Sequence, residues 1–245
     1  MRIAFISDIH GNLPALEAVV SDIKRSDVQS IVCLGDVATI GVQPNEVLEV
    51  LQELQCRFVM GNHEAVLVDP SRTVELSLFA EELFQSLYCV IDRISAEHLQ
   101  LIQSFENTIN IQDGSGRRML CYHGTPQSNY TGISPTTSEA EIKRYLEGTH
   151  DEVLVGGHTH QQMNRSYNEQ ILLNPGSVGS VFDGSLRLRE EPSLRPWAEY
   201  GIIECTLRTV SFCMRRIGFD IEKAKAAIRR TDHPLREWWE KQYAN

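Results

Sequence analysis

The chain of 245 residues is 42% hydrophobic and 23% charged, proportions that are typical of a globular protein and exclude a largely disordered chain. Its formal net charge of −10 at pH 7 argues against partners that bind by counterion release, such as long duplex DNA or an anionic membrane surface. The apolar run Ile3–Ile6 is too short for a signal peptide, and no later run approaches the ~20 apolar residues of a membrane span.

The N-terminal part of the chain alternates between strand-like and helix-like patterns. Asn12 is the expected N-cap of the first helix, with Pro14 in its first turn. Because strands and helices alternate, we predict parallel strands joined by helical crossovers. The predicted strands are Arg2–Ser7, Ser30–Leu34 and Arg57–Met60, and the two helices present Leu13, Leu16, Val20 and Ile23, then Val47, Leu48, Leu51 and Leu54, on their apolar faces.

Helix-like patterns without strands fill the segment Val66–Glu106. One helix is predicted at about Val74–Leu87 and another at about Ser95–Ser104. We interpret the segment as a helical insert over the active site, where it would act as a lid that favours small substrates.

Strands resume after the insert with a predicted hairpin, Asn107–Ile111 and Met119–Tyr122, around the turn-rich link Asp113–Gly116. Antiparallel pairing is expected from this point on. The pattern predicts an α/β (α+β) fold, a four-layer β-sandwich of two mixed sheets flanked by helices, in one domain over 1–245 with a helical tail at about 220–245. The remaining predicted elements are a helix at Ser138–Leu146, strands at Val153–Val155, Gln162–Tyr167, Gln170–Leu173, Tyr200–Leu207 and Thr209–Arg215, and an exposed loop at Asp183–Pro196.

The six cysteines show no C-x-x-C spacing and mostly fall in apolar, strand-like segments. Structural buried thiols are the interpretation that this favours. It agrees with a reducing compartment, and we therefore predict a cytoplasmic location. The cysteines are Cys33, Cys56, Cys89, Cys121, Cys205 and Cys213.

Short polar motifs follow several of the strand-like runs, most of them with a glycine at the turn. In open α/β folds the loops past the carboxyl ends of the strands converge on one crevice, so these motifs are expected to pool their side chains there. Glycine beside a polar residue allows a tight turn or a close backbone approach. The motifs are Asp8-x-His10, Gly35-Asp36, Gly61-Asn62-His63-Glu64, His123-Gly124 and Gly157-His158-Thr159-His160.

The pooled residues are typical of a metal site rather than of a nucleophilic Ser or Cys site. No G-x-S-x-G motif is present in the sequence. Carboxylate, amide and imidazole ligands suit Mn, Fe, Co, Ni or Zn. Because the set exceeds what one ion needs, we predict two divalent ions about 3.5 to 4 Å apart that clamp a phosphoryl group. His158 and His160 would point to the same side of an extended segment, as ligands of adjacent ions must.

The ordered series D-x-H, G-D, G-N-H-E, H and G-H-x-H resembles the calcineurin-like metallophosphoesterase superfamily, from Met1 to about Ser180. The block Asn174-Pro175-Gly176-Ser177 is similar to its small bacterial and archaeal phosphodiesterase branch. The resemblance implies a β-sandwich flanked by helices. It also implies hydrolysis of phosphodiester or phosphomonoester bonds by a metal-bound hydroxide, without a covalent enzyme intermediate, on a small nucleotide or similar phosphate ester.

The resemblance also assigns roles to single residues. It places Asp36 as the bridge between the ions and His63 as the catalytic residue that faces the substrate. The cofactors implied are two divalent ions, with Mn first and Fe, Ni, Co or Zn as alternatives; the substrate-binding residues and the oligomeric state stay open. One ion would be held by Asp8, His10 and His160, and the other by Asn62, His123 and His158.

Each motif also has a purely structural interpretation. Asp8 or Asp36 alone would more often cap a helix, and His63 could support Asn62 without contacting substrate. Glu64 is expected to be structural. Residues outside the motifs are expected to be ordinary surface or packing residues: Arg187, Arg189 and Arg195 in a solvated loop, His98, His150 and His233 on the surface, and Trp238–Trp239 packed on their own domain.

Three other functions remain open. A retromer subunit of the same superfamily keeps the fold with a decayed metal site and lacks the histidine equivalent to His63, so a non-catalytic scaffold is one alternative. A mononuclear zinc hydrolase is another. A dinucleoside polyphosphate hydrolase is the third, since some relatives resemble such enzymes.

Overall fold

The computed structural model describes residues 1–72, 81–91, 93–182, 193–233 and 235–243. Within these ranges the chain forms ten strands and eight helices. The strands are β1 (Arg2–Ile6), β2 (Ser30–Cys33), β3 (Arg57–Phe58), β4 (Ile109–Gln112), β5 (Arg118–Cys121), β6 (Val153–Val155), β7 (Met163–Tyr167), β8 (Gln170–Asn174), β9 (Trp197–Cys205) and β10 (Val210–Gly218). The helices are α1 (Leu13–Ile23), α2 (Pro44–Glu53), α3 (Asn62–Val68), α4 (Glu81–Ile91), α5 (Ala96–Gln103), α6 (Glu139–Tyr145), α7 (Ile221–Arg229) and α8 (Arg236–Gln242).

The first sheet combines strands from the N-terminal part of the chain with the last two strands. Its order is β10-β9-β1-β2-β3. Strands β1, β2 and β3 are parallel to one another, and β9 is antiparallel to both of its neighbours, β1 and β10. Helices α1 and α2 are the crossovers that the alternating pattern predicts. The Asn12 cap is also observed, because its Oδ1 accepts from the backbone N–H of Ala15 at 3.2 Å.

The second sheet has the order β4-β5-β6-β8-β7. The predicted hairpin forms, since β4 and β5 pair antiparallel. Antiparallel pairing begins here as expected and recurs between β7 and β8, but β6 lies parallel to both β5 and β8, so this sheet is mixed. The reason is that α6 crosses between β5 and β6, so the chain re-enters the sheet in the same direction, as a crossover requires.

The two sheets face each other across a shared core, and helices cover their outer faces. Along β1 the side chains alternate, as strand geometry requires. Phe5 points into the core between the sheets, whereas Ile6 packs under α1 together with Leu16. Helix α6 covers the second sheet through Ile142. The prediction of two mixed sheets flanked by helices is therefore confirmed.

The segment predicted as an insert contains three helices in its described part. Helix α3 begins at Asn62, inside a predicted motif, and was not expected. Of the predicted helix Val74–Leu87, residues 73–80 lie outside the described residues, and α4 begins at Glu81. Helix α5 agrees with the prediction, and Ser95 caps it by accepting from the N–H of His98 at 3.1 Å.

The C-terminal helices pack on the body of the protein. Trp239 is 5% exposed and lies in a cluster with Ile40, Leu194 and Ile228. Its Nε1 donates to the Ser86 hydroxyl of α4 at 2.9 Å. The expected packing of the tryptophan pair on its own domain is confirmed.

Two of the three histidines expected on the surface are buried. His98 is 6% exposed and its Nδ1 lies 2.7 Å from Asn45 Oδ1, while His233 is 2% exposed and its Nδ1 accepts from the N–H of Leu235. Both lie where α5 or the C-terminal tail meets the body. His150 is exposed as expected.

Among the other predicted surface features, Arg187 and Arg189 lie outside the described residues. Arg195 lies over the Trp197 ring at 5.6 Å. In the described ranges, no helix combines the length and the apolar character that crossing a membrane requires. Of the cysteines, Cys33, Cys56, Cys121 and Cys205 are buried, Cys89 is partly exposed and Cys213 is exposed.

Candidate metal centre

The predicted motifs meet at one place, where strands from both sheets end. Backbone hydrogen bonds join neighbouring loops: the N–H of His10 donates to Asp36 O at 3.0 Å, and that of Gly157 donates to His123 O at 2.7 Å. A side chain links the two sheets here, because Asp8 Oδ2 accepts from the N–H of His158 at 3.1 Å. The carboxyl ends of parallel strands thus converge as the topology predicts.

Glycine allows the loops after β2 and β3 to touch. Gly35 has φ +99°, and a Cβ there would lie 2.6 Å from the Gly61 nitrogen. A larger residue would separate the two loops and, with them, Asp36 from Asn62. The glycines flanking these ligands are therefore required by close backbone approach.

Several site residues have a left-handed backbone, which is unusual for non-glycine residues. Of the nine non-glycine residues with positive φ in the described ranges, five belong to the predicted metal ligands. This conformation costs on the order of 1 kcal/mol for each residue, although Asp and His tolerate it better than most. Such strain is held in place by the surrounding structure and clusters at functional sites. The five are Asp8 (54°), His10 (48°), Asp36 (55°), His158 (66°) and His160 (56°).

One group of donor atoms comprises Asp8, His10 and His160, whose ligand atoms all lie within 4.8 Å of one another. His10 Nε2 is 3.1 Å from His160 Nε2, which in turn is 3.3 Å from Asp8 Oδ1. This is the set predicted for the first ion.

A second group comprises Asn62, His123 and His158. The Asn62 Oδ1 atom is 2.9 Å from His123 Nε2 and 3.0 Å from His158 Nδ1. These two ring nitrogens are 3.2 Å apart. This is the set predicted for the second ion.

Asp36 lies between the two groups. Its Oδ2 is 3.3 Å from His123 Nε2, and it also clusters with His10 and His63. The His63 ring is held by Thr39, whose Oγ1 is 2.7 Å from Nδ1, while Nε2 lies 3.8 Å from Asp36 Oδ2. The structure thus brings all eight predicted residues together, with Asp36 central and His63 beside it.

The hydrogen bonds of two histidines show that this site requires positive charge. Because a carbonyl oxygen only accepts, His160 Nδ1 must donate to Ser180 O (2.6 Å) and His123 Nδ1 to Leu34 O (2.7 Å). In a neutral ring, Nε2 then carries a lone pair. The lone pair of His160 faces an Asp8 carboxylate oxygen, and that of His123 faces an Asp36 carboxylate oxygen. A proton or a metal cation must lie between each pair.

The arrangement fits divalent ions better than protons. Asp8 Oδ1 is fully buried, and in the described residues its polar neighbour is His160 Nε2 at 3.3 Å, whose lone pair in the neutral ring cannot donate to it. An unpaired buried carboxylate oxygen is costly unless a cation binds it. Asp8 faces His160 in the first group, and Asp36 faces His123 of the second, so each group could hold a cation through oxygen and imidazole ligands of the kind that suit Mn, Fe, Co, Ni or Zn.

The pKa values follow from burial and from these neighbours. Burial raises the pKa of the Asp8 carboxyl, but the charges of His160 and His123 outweigh burial and lower it to about 2. Burial, followed by the charges of His160 and His63, lowers the pKa of His10 to about 3. Asp8 is therefore ionised and His10 neutral at pH 7, the forms that bind metal.

The pKa values of His123 and His160 are raised, in contrast to that of His10. Burial lowers the pKa of His123, but the charge of Asp36 and the hydrogen bond with it raise the value to about 9. For His160, burial is likewise outweighed by Asp8, and the pKa is raised. The two carboxylates thus attract positive charge at two points, one in each group.

Supporting contacts that the sequence did not reveal hold the ligands in place. The Ser177 hydroxyl donates to Asp8 O at 2.7 Å, and Asn174 Nδ2 donates to Gly157 O at 2.7 Å. The Asn174–Ser177 block carried a signal through its resemblance. Thr39 and Ser180, however, belong to no motif. Backbone or hydroxyl contacts of this kind have no sequence signature.

Glu64 ties the loops together and does not enter the donor set. Its carboxylate accepts from the backbone N–H groups of Asp36 (2.7 Å), Val37 (2.7 Å) and Gly61 (3.1 Å). Burial, followed by the charge of Asp36, raises its pKa to about 7. The observed contacts agree with the structural role expected for this residue.

Glu64→Gln is expected to lower the free energy of unfolding by about 3 kcal/mol. An amide has only one acceptor oxygen, so at least one buried N–H loses its partner and the charge assistance is lost. Denaturant unfolding with saturating metal measures the change. Glu53→Gln, at an exposed position of α2, is the matched control, and equal stability of the two variants would contradict this role.

The comparison with known families and proteins agrees with this geometry. Residues 1–188 match the calcineurin-like phosphoesterase superfamily domain. An uncharacterised protein of Methanocaldococcus jannaschii is 28% identical over 253 residues, which cover 96% of this chain and 94% of that protein.

Two crystal structures share the whole fold. A metallophosphoesterase from Sphaerobacter thermophilus superposes with a TM-score of 0.73 at 26% identity, covering 100% of this chain and 99% of that one. A hypothetical protein from Pyrococcus horikoshii superposes with a TM-score of 0.81 at 17% identity, covering 98% and 96% respectively. The second likeness concerns the fold alone.

Proposed function

Because the chain belongs to the calcineurin-like phosphoesterase superfamily, we propose that it hydrolyses phosphodiester or phosphomonoester bonds of small nucleotides or similar esters at a dinuclear metal centre. The observation that carries this proposal is the pair of donor groups joined by Asp36, each with one histidine facing one carboxylate. The likeness to the metallophosphoesterase of Sphaerobacter thermophilus supports it.

In this proposal the ligand groups divide between two ions, with manganese as the preferred metal. One ion would be held by Asp8, His10 and His160, the other by Asn62, His123 and His158, and Asp36 would be shared between them. Divalent ions bound there would supply Lewis-acid chemistry, activating water and neutralising charge on the phosphoryl group.

His63 is the proposed catalytic residue. Thr39 fixes the ring through Nδ1, so Nε2 is left facing the site, where it can stabilise phosphoryl oxygens and protonate the leaving oxygen. Burial lowers the pKa of His63, the charge of Asp36 opposes this, and the net shift is downward. The residue is 9% exposed, so it is not sealed from the surface.

A substrate screen tests the proposal. Manganese-loaded protein is assayed against phosphomonoesters, cyclic nucleotides and dinucleoside polyphosphates, with metal-depleted protein as the blank. Metal-dependent turnover of at least one class is expected. Metal binding without turnover of any class would instead favour a non-catalytic scaffold of the same fold.

Metal loading is also expected to stabilise the protein. Each site bound at a free metal concentration 100 times its Kd should add about 2.7 kcal/mol to the free energy of unfolding. Thermal unfolding with and without a chelator measures this, and metal analysis should give two ions per chain. A stoichiometry of one would favour a mononuclear hydrolase, and an unchanged melting curve would contradict the site.

A further inference from the structure

A polar cavity of about 390 Å³ lies beside the proposed metal centre, on the side of His123. Its walls come from the end of β3, the turn after α3 and the loop that follows His123. They include Met60, Arg72, Asn107, His123, Gln127 and Tyr130.

The wall of this cavity is hydrogen-bonded to the segment that carries a proposed metal ligand. Asn129 Nδ2 donates to Gly61 O at 3.2 Å, one residue before Asn62. The Tyr130 hydroxyl donates to Asn62 O at 3.5 Å. The cavity is therefore adjacent to the second donor group, and a ligand held at the ions can extend into it.

The residues that line the cavity differ in type from the surface as a whole, and the hydrogen bonds from Ser71, followed by the positive charge of Arg72, lower the pKa of the neighbouring Asp69 carboxyl. The chain has 33 acidic and 23 basic residues, yet none of the described residues that line the cavity is acidic. Arg72 is the arginine among them, and its guanidinium carbon lies 5.2 Å from the centre of the Tyr130 ring. Stacking on an aromatic ring orients the planar guanidinium.

The chemistry of the lining favours an anion over other ligands. A cation would need carboxylates, and an apolar group would find mainly Met60 and Tyr130. A guanidinium with neighbouring amide side chains suits the oxygens of a phosphate. We propose that this cavity binds a second phosphate of the substrate, in addition to the phosphate held at the metal centre.

This inference rests on the proposed function and specifies its substrate class. The preferred substrates are esters with at least two phosphate groups, such as nucleoside bisphosphates or phosphate esters of nucleotides. Arg72 is then a specificity-determining residue. It contacts the phosphate that is not cleaved.

The test uses ligands that cannot be hydrolysed, so binding is measured apart from catalysis. Alkane bisphosphonates with two to six carbons between the phosphonates are compared with monophosphonates of the same chain length. Calorimetry gives Kd values for the manganese-loaded protein at constant ionic strength. The series varies the separation between the two phosphonates.

A bisphosphonate has two equivalent ends, so every Kd ratio is first divided by the statistical factor of two. After this correction, the bisphosphonate of the best chain length is expected to bind about tenfold more tightly than its matched monophosphonate. Arg72→Gln should reduce this advantage to about twofold, and Arg72→Glu should abolish it. Arg208→Gln, which removes the same charge in the turn between β9 and β10, should retain the tenfold advantage. The control matters because loss of any positive charge weakens anion binding slightly.

Two results would overturn the inference: an advantage of twofold or less at every length, or a tenfold advantage that survives Arg72→Gln. The second would show that a short bisphosphonate simply contacts both ions. Failure of the proposed function looks different. The loaded protein would then neither bind a monophosphonate nor hydrolyse p-nitrophenyl phosphate, and the inference would fall with it.

Discussion

Asp36→Asn is expected to lower kcat by at least about 10³-fold and to weaken the binding of both metal ions. Asp36 lies between the donor groups, with Oδ2 3.3 Å from His123 Nε2. Burial raises its pKa, but the charges of His123 and His63 outweigh burial and hold the pKa well below its usual range. An amide at this position removes the negative charge that both ions would share.

Activity assays and metal analysis at limiting metal concentration measure both effects. Asp27→Asn is a matched control, since Asp27 is exposed and also has a positive φ of 49°. It undergoes the same chemical change in the same backbone conformation, outside the site. Full turnover by Asp36→Asn with two ions bound would disprove the bridging role.

His63→Ala should reduce kcat by about 10²- to 10⁴-fold while the protein still binds two ions. The expected loss follows from a group that acts on the substrate and holds no metal. A change in kcat with little change in KM is the expected kinetic signature, because the interaction forms in the transition state.

The same measurement separates three roles for His63. If the residue only supports Asn62, metal affinity should fall 10- to 100-fold. If it is a ligand, the metal content should fall as well. His150→Ala, at an exposed position outside the site, is expected to change neither quantity.

Local patterns were sufficient to predict much of the fold. The parallel strands β1 to β3 and their crossovers follow from the alternation of apolar runs with segments of helical periodicity. Asn12 caps α1 because its side-chain oxygen accepts a hydrogen bond from a backbone N–H in the first turn. The same crossover rule, applied to the helix predicted at Ser138–Leu146, also predicts that β6 lies parallel to β5. The sequence does not predict helix α3, because its seven residues overlap a polar motif with the pattern of a loop.

In the candidate site, too, some features could be predicted from local sequence and others could not. Its donor residues stand in short motifs and could be named from the sequence. The groups that orient them lie far away along the chain, such as Thr39 for His63 and Leu34 O for His123. Backbone carbonyls and single hydroxyls have no recognisable pattern, so only the folded chain identifies them. The burial of His98 has the same origin, since its ring contacts Asn45 of α2, which is distant in sequence.

The left-handed backbone at five of the proposed ligands has a consequence for molecular evolution. Glycine at any of these positions would relieve roughly 1 kcal/mol of backbone strain, which offsets part of the packing and hydrogen bonding lost with the side chain. In a lineage released from selection for metal binding, drift should therefore remove the ligands before it damages the sheets. The architecture would outlast its chemistry.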